Sequence, residues 1–426
     1  MNQDHPNYSA YIKILEEELV PAMGCTEPIA LAYCAAKARE VLGCLPDRVA
    51  IDASGSIIKN VKSVIVPNTN HMKGIPAAAV AGIVAGDASR QLEVIANVTE
   101  EQTQQMRAYL EKTPITVEHV DNGLTFEISV TVYHGADSAS VRIVNYHTNI
   151  VHIERNGQVL LDNPVEGESE SGLTDRSCLN LADILDFAES VDIADIKSIL
   201  DRQIQYNCAI AEEGLRGNYG SNIGSVLLQT YGDSSVMVRA KAMAAAGSDA
   251  RMNGCEMPVV INSGSGNQGM TTSLPVIEYA KELKVSDEKL YRALALANLT
   301  TIHQKTSIGR LSAFCGAVSA GAGAGAGIAY LMGTDLDGIS HTVANAIATT
   351  GGIVCDGAKA SCASKIATAV EAGILGYNMH VQNQNFQPDD GLVGETPEET
   401  IANIGRLGKE GMKGTNEEII KIMVGE

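Results

Sequence analysis

Thiols are the most reactive side chains in this sequence, and three segments place them where chemistry is feasible. The nine cysteines are Cys25, Cys34, Cys44, Cys178, Cys208, Cys255, Cys315, Cys355 and Cys362. Their number is odd and no Cys-x-x-Cys pair occurs. A disulfide framework, a zinc ribbon and a thioredoxin-like site therefore all lack support. Two readings stay open for each: a buried thiol packing like a small apolar side chain, or a metal-binding or catalytic thiol. Cys25 lies just before a helix start, where the macrodipole and free N–H groups favour thiolate over thiol. Cys355 and Cys362 frame a short glycine-containing loop, and Cys315 opens a glycine-rich helix. Two thiols on one loop can converge on a metal. Their spacing is not that of a zinc pair, and iron–sulfur clusters accept wider ones. A third thiol from Cys315 would leave one iron of such a cluster without a protein ligand, and an open iron acts as a Lewis acid toward a hydroxyl or thiol.

A second chemical element is the segment Asn262 to Gly269, with Ser265, Gly266, Asn267 and Gln268 at its centre. It follows the apolar run MPVVI and reads as a loop of backbone donors suited to a small carboxylate or phosphate. It lacks the Lys-Ser/Thr ending of a P-loop, and an ordinary tight turn is the other reading. Lys59, in Gly55-Ser56-Ile57-Ile58-Lys59-Asn60, is suited to holding an anion, forming a Schiff base or standing solvated at the surface. His147 and Asn149, in Tyr146-His147-Thr148-Asn149, join two strands and can face a ligand. The histidines share no metal spacing.

The elements that must position these groups follow from periodicity. Residues 9–20 alternate at helical period. A break at Val20 to Gly24 precedes a second helix, with Thr26 as N-cap and Gly43 as its stop. Arg48–Ala53 and Ser63–Val66 are short strand-forming runs, and Ile75–Ala85 reads as helix. From Ile115 to Leu161 the chain alternates Val, Ile and Thr with polar residues, with turn signals at Asp121-Asn122-Gly123 and Asn156-Gly157, which predicts an antiparallel meander. Residues 163–175 are polar and acidic and form a candidate linker. Helical periods dominate thereafter: Leu181–Ile210, Ser225–Ala246, Lys289–Ala297, Ser312–Met332, His341–Thr349, Ser364–Leu375 and two amphipathic helices in the tail. The alternating glycines from Gly321 to Gly327 follow no strand and indicate close helix packing, not a dinucleotide loop. The fold class is therefore α+β. A mixed α/β part with the meander spans residues 1–170, and a mostly helical domain spans residues 176–426.

Composition narrows the function. The 426 residues carry 31 Lys plus Arg against 51 Asp plus Glu, a net charge of −20. That charge excludes a phosphate-pairing nucleic-acid surface. Aromatic content of 4% with no Trp excludes base-stacking platforms. No basic-then-apolar leader is read at the N-terminus. The most apolar run, Leu311–Met332, is filled with Gly and Ala, so no membrane span is expected. A cytoplasmic location is the expectation. Self-association into a homo-oligomer is left open.

Taken jointly, several motifs resemble the L-cysteine desulfidase family, which is related to the iron–sulfur L-serine dehydratases. They are Met23-Gly24-Cys25-Thr26-Glu27-Pro28, Gly55 to Asn60, Tyr146 to Asn149, Gly247-Ser248-Asp249-Ala250-Arg251-Met252, Gly264 to Gly269, Phe314-Cys315-Gly316 and Val354-Cys355-Asp356-Gly357. The helical part resembles the dehydratase α-type domain, and the meander is more loosely similar to the β-type part. The resemblance implies an oxygen-labile [4Fe–4S] cluster used for elimination. The dehydratase cluster cysteines match Cys315, Cys355 and Cys362, while the cysteines emphasised in desulfidases match Cys25, Cys315 and Cys355. Cys362 is favoured as third ligand because it shares a loop with Cys355. Cys25 is then a base or a resting fourth ligand, and Lys59 an alternative base. The terminal cysteine that some dehydratases use as fourth ligand is lacking here. The implied activity is β-elimination on L-cysteine giving sulfide, ammonia and pyruvate. Alternatives are the same site acting on L-serine or L-threonine, pyridoxal-phosphate elimination through Lys59, and a non-catalytic cluster sensor.

Overall fold

Short apolar strands and the glycines between them decide how the two parts of the chain meet. In the computed structural model, which describes residues 1, 3–165 and 173–424, the chain opens with helix α1 (Tyr8–Glu18), strand β1 (Pro21–Met23) and helix α2 (Thr26–Leu42). Gly43 ends α2 at φ 88°, a left-handed C-cap that glycine adopts without a Cβ penalty. Strand β2 (Arg48–Ser54) and helices α3 (Gly55–Val61), α4 (Gly74–Ala85) and α5 (Glu100–Lys112) follow. Then come β3 (Ile115–Val120), β4 (Glu127–His134), β5 (Asp137–Val144), β6 (Ile150–Arg155) and β7 (Gln158–Asp162).

The sheet order is β3-β2-β4-β5-β6-β7. Strands β4 to β7 form the expected antiparallel meander, but β3 does not belong to it. It pairs parallel with β2, which lies between β3 and β4. The reason is burial. Val49, Ile51 and Ala53 of β2 are wholly buried, whereas β3 is largely exposed and takes the edge. A parallel pair needs a long crossover, and α3, α4 and α5 supply it. The Ser63–Val66 run forms no strand, only an isolated bridge from Ile65 to Lys73. Helix α2 covers the inner face of the meander, where Cys34 Sγ lies 3.2 Å from Val141 O.

Of the expected linker, residues 166–172 lie outside the described residues. The helical part comprises α6 (Leu181–Ser190), α7 (Ile193–Arg216), α8 (Ile223–Tyr231), α9 (Val236–Met252), strand β8 (Pro258–Val260), α10 (Gly266–Leu283), α11 (Asp287–Ile308), α12 (Gly316–Leu331), α13 (Leu336–Thr350), α14 (Cys362–Val381), α15 (Pro397–Arg406) and α16 (Lys413–Val424). Two runs read as single helices are broken. Asp192 caps a new start at α7, and Gly232 separates α8 from α9. The glycine-rich α12 packs backbone to backbone on α14. A Cβ at Gly321 would fall 2.3 Å from Ala369 O, and one at Gly373 would fall 2.2 Å from Gly321 O. Among the described residues no helix is long and apolar enough to cross a membrane.

One apolar core runs from α1 and α2 through the sheet into α10 to α14. The decisive link is small: β1 pairs antiparallel with β8, Ala22 opposite Val259. β1 runs straight into Cys25, and β8 straight into the Asn262 to Gly269 segment. Two motifs more than two hundred residues apart are thereby set side by side.

Candidate functional site

A bridge between Phe314 and Val354 builds the thiol centre. Cys315 N donates to Ile353 O at 3.0 Å and Cys355 N to Ala313 O at 2.6 Å. Cys315 and Cys355 thus flank the bridge on one face as diagonal neighbours, a relation that brings Cβ atoms to somewhat less than roughly 7–8 Å. Gly357, at φ 93°, turns the chain back against Lys59, and Cys362 begins α14 with Sγ 3.6 Å from Gly357 O. All three thiols are partly exposed. Burial, and then the neighbouring Cys355, push the Cys315 thiol up to about 12. Burial chiefly raises Cys362 as well, with Cys355 adding to it. Cys315 and Cys362 therefore resist ionising without compensating positive charge. Lys365 stands beside them, donating to Val354 O at 2.9 Å and pairing with Asp356. Burial alone would depress the Lys365 ammonium, but Asp356 and the thiols raise it.

Helices α2, α10, α12 and α14 all begin at this site, and none has a side-chain cap. In α2, α10 and α12 this leaves first-turn N–H groups for anions, whereas in α14 Cys362 N and Ala363 N already donate to Lys359 O and Ala360 O. Among the described residues no group of three or more His, Cys, Asp or Glu side chains is arranged to hold a single metal ion. Three neighbouring thiols, with the α12 N-terminus and Lys365 beside them, have the donor chemistry that an anionic iron–sulfur cluster needs.

Cys25 occupies the N-cap position one residue before the expected Thr26. Its thiol donates to Glu27 Oε2 at 3.1 Å, and Asn60 Nδ2 donates to Glu27 Oε1 at 3.0 Å. The helix N-terminus was expected to favour the Cys25 thiolate. The structure reverses that: burial, and then the Glu27 carboxylate, push the thiol well above its ordinary value. Burial would raise Glu27 too, but His147, the Cys25 hydrogen bond and Arg251 hold it below the usual carboxylate value. Thr26 Oγ1 lies 2.8 Å from Gly264 O, tying α2 to the glycine loop.

That loop is shorter than the sequence suggested. Asn262 and Ser265 close a two-residue turn through Ser263 and Gly264, both at positive φ, and α10 starts at Gly266. Ser265 is the N-cap. Asn267 Oδ1 accepts from Arg251 Nη1 at 3.1 Å. Gln268 is buried with Oε1 unpartnered, and it packs on Gly316, where a Cβ would meet its Cδ at 2.6 Å. Gly316 follows Cys315, so Gln268 joins the loop to the thiol centre.

Lys59 is buried on α3. Its Nζ reaches Cys355 O at 3.3 Å and Asn416 Oδ1 at 2.7 Å. Burial lowers the ammonium, opposed by Cys355 and Glu27. It is not the solvated surface lysine that the sequence also allowed. His147 is buried edge-on to Phe126, with Nε2 unpartnered and its ring against Gly264. Burial lowers it to about 4, so the imidazole is neutral. Asn149 is not gathered with the others. Its amide donates to Val144 O at 3.0 Å and closes the β5–β6 connection. A cavity of about 310 Å³ opens beside His147, Gly264 and Arg310. Its wall is fixed by Glu18, which takes both Arg310 (2.7 Å) and Arg176 (2.9 Å). Sequence reading missed Glu27, Asn60, Arg251 and Asn416 as site residues. Each of the first three sits inside or beside a motif already singled out, while Asn416 carries no local signal.

The mostly helical C-terminal part is of the serine dehydratase α type. Residues 89–421 match the family described as serine dehydratase alpha chain, a match that takes in the meander as well as the helices. A UPF0597 protein of Desulfitobacterium hafniense is 58% identical over all of this chain and 99% of its own. One from Lachnoclostridium phytofermentans is 52% identical over 98% of this chain and 100% of its own, and one from Treponema denticola 46% over 100% of each. The chain belongs to the UPF0597 family, with a serine dehydratase alpha-chain domain.

Proposed function

We propose that the chain is an iron–sulfur lyase that eliminates sulfide from L-cysteine, with Cys315, Cys355 and Cys362 holding a [4Fe–4S] cluster. The observation that carries this is the convergence of those thiols with the first turn of α10 through the Gln268–Gly316 contact. The cluster, when bound, supplies a Lewis-acidic iron for the departing sulfur.

The protein's own groups perform the remaining work. The turn at Asn262 to Ser265 and the N–H groups of Gly266, Asn267 and Gln268 receive the substrate carboxylate. Cys25 and Lys59 are the two candidate bases for the substrate's α-proton. Lys59, whose ammonium burial lowers, acts in its neutral form, held close by Cys355 O and Asn416, whereas the Cys25 thiol is kept protonated beside Glu27 until substrate displaces that 3.1 Å hydrogen bond. The electron pair left at Cα forms the C=C bond as Cβ–S breaks. The released aminoacrylate tautomerises, and one water converts the imine to pyruvate and ammonia. Holding base and leaving group on one preorganised substrate is what makes a weakly acidic α-proton removable.

The family's description favours a second reading, elimination of water from L-serine or L-threonine at the same site. Anaerobic reconstitution with iron and sulfide, followed by assay of sulfide and pyruvate from L-cysteine beside pyruvate from L-serine and 2-oxobutanoate from L-threonine, separates them. Equal sulfide and pyruvate, lost in air, is the expected result. 2-Oxo acid from a hydroxy amino acid without sulfide from L-cysteine assigns a dehydratase. A Cys315→Ala protein that keeps cluster absorbance and full activity refutes the ligand assignment.

A further inference from the structure

A buried guanidinium needs an anion, because desolvation is costly unless an opposite charge and hydrogen bonds replace the lost water. The molecule obeys this elsewhere: buried Arg176 rests on Glu17 and Glu18. Arg251 does not. It is 3% exposed, and among the described residues it forms no ion pair. Nη1 donates to Asn267 Oδ1, a neutral acceptor, while Nε and Nη2 meet no partner. The nearby Glu27 carboxylate is already committed to Cys25 and Asn60.

The surroundings specify what the missing partner is. The guanidinium lies flush on Gly266, where a Cβ would fall 2.4 Å from Nε and 2.8 Å from Cζ. Gly266 begins α10, whose first turn has no side-chain cap. A planar two-donor fork and a helix N-terminus therefore share one spot, the combination that suits a carboxylate. Two buried acceptors close by also lack donors, Gln268 Oε1 and Asn60 Oδ1. They are the complement of an ammonium group.

We propose that Arg251 is the charge partner of the substrate's α-carboxylate, with Gln268 Oε1 and Asn60 Oδ1 accepting from its α-ammonium. The site then takes free α-amino acids as a class and rejects their amides and the corresponding amines. Asn267 is a positioning residue that orients the guanidinium. This rests on the elimination reading for the location of the substrate, but not for the binding itself.

The test uses two ligands with no leaving group at Cβ, L-alanine and L-alaninamide, titrated calorimetrically into the full-length protein. L-Alanine should bind about ten- to a hundredfold more tightly, as expected for a charge-assisted hydrogen bond lost at a buried donor. Arg251→Lys should weaken L-alanine roughly tenfold and leave L-alaninamide unchanged, since a point charge replaces a fork. Arg251→Gln should erase the preference. Equal affinity of the wild-type protein for both ligands, or binding of neither, overturns the proposal even if no variant folds. So does a preference that survives Arg251→Gln. Alanine bound by a protein that turns over neither cysteine nor a hydroxy amino acid would sink the elimination reading while keeping this one.

Discussion

Gly321→Ala asks whether the close approach of α12 and α14 keeps the thiols together. A Cβ at 321 falls 2.3 Å from Ala369 O and 2.5 Å from Ala369 C, where ordinary contact starts at 3.4 Å. The helices must part by about 1 Å, because the obstacle is backbone and has no rotamer to change. Overpacking of this kind costs roughly 1–3 kcal/mol. Alanine recovers about 1 kcal/mol of helix propensity over glycine, so a net loss of about 2 kcal/mol is expected for a clash at the top of that range. The effect on the site is larger than on stability. α12 begins next to Cys315 and α14 begins at Cys362, so a 1 Å separation is passed directly to two sulfurs, and about 1 Å of misplacement can cost roughly a hundredfold in rate. Urea midpoints read the first effect, and iron and sulfide content after anaerobic reconstitution reads the second. Gly414→Ala is the control, since no atom lies within 4 Å of its added Cβ. It should match or slightly exceed the wild-type midpoint. A Gly321→Ala protein with the wild-type midpoint and a full iron complement would refute the reasoning.

Three other outcomes are expected. In Glu27→Gln the carboxylate that raises Cys25 is gone, so peptide mapping after iodoacetamide at pH 8 should show faster Cys25 alkylation; an unchanged rate would mean burial alone protects the thiol. Asp249 is raised by burial from 3.8 to about 6, with Oδ1 unpartnered, so its contribution to stability is present at low pH and is lost as pH climbs from about 4 to 6. Asp249→Asn should not show that loss, and urea midpoints of the two proteins should diverge over that window. His147, lowered to about 4 by burial, should show no imidazole titration between pH 5 and pH 8 by proton NMR; a midpoint near 6.5 would place it in water.

The α+β class, the β4 to β7 strands and most helices were legible because each rests on local periodicity, turn residues and caps. The place of β3 was not, since strand order depends on which strand has both faces covered. The helix breaks at Asp192 and Gly232 interrupted stretches whose apolar spacing continues across them. The first turn of α10 was read as loop because its glycines are weak helix formers. They are there instead for Arg251 and the Val260 backbone that press against them.

The sequence by itself determined which side chains have the chemistry: three thiols with helix-start signals, a small-residue turn and a lysine suited to an anion or a Schiff base, whose burial it did not give. Only the tertiary structure decided their company. The pairing of β1 with β8, and the contact of Gln268 with Gly316, bring together segments separated by 48 to more than 230 residues, and no local pattern encodes such a meeting. Electrostatics was likewise settled in three dimensions. Cys25 was expected to be acidic from its helix terminus, but burial of the thiol, and then the Glu27 carboxylate beside it, outweigh the dipole.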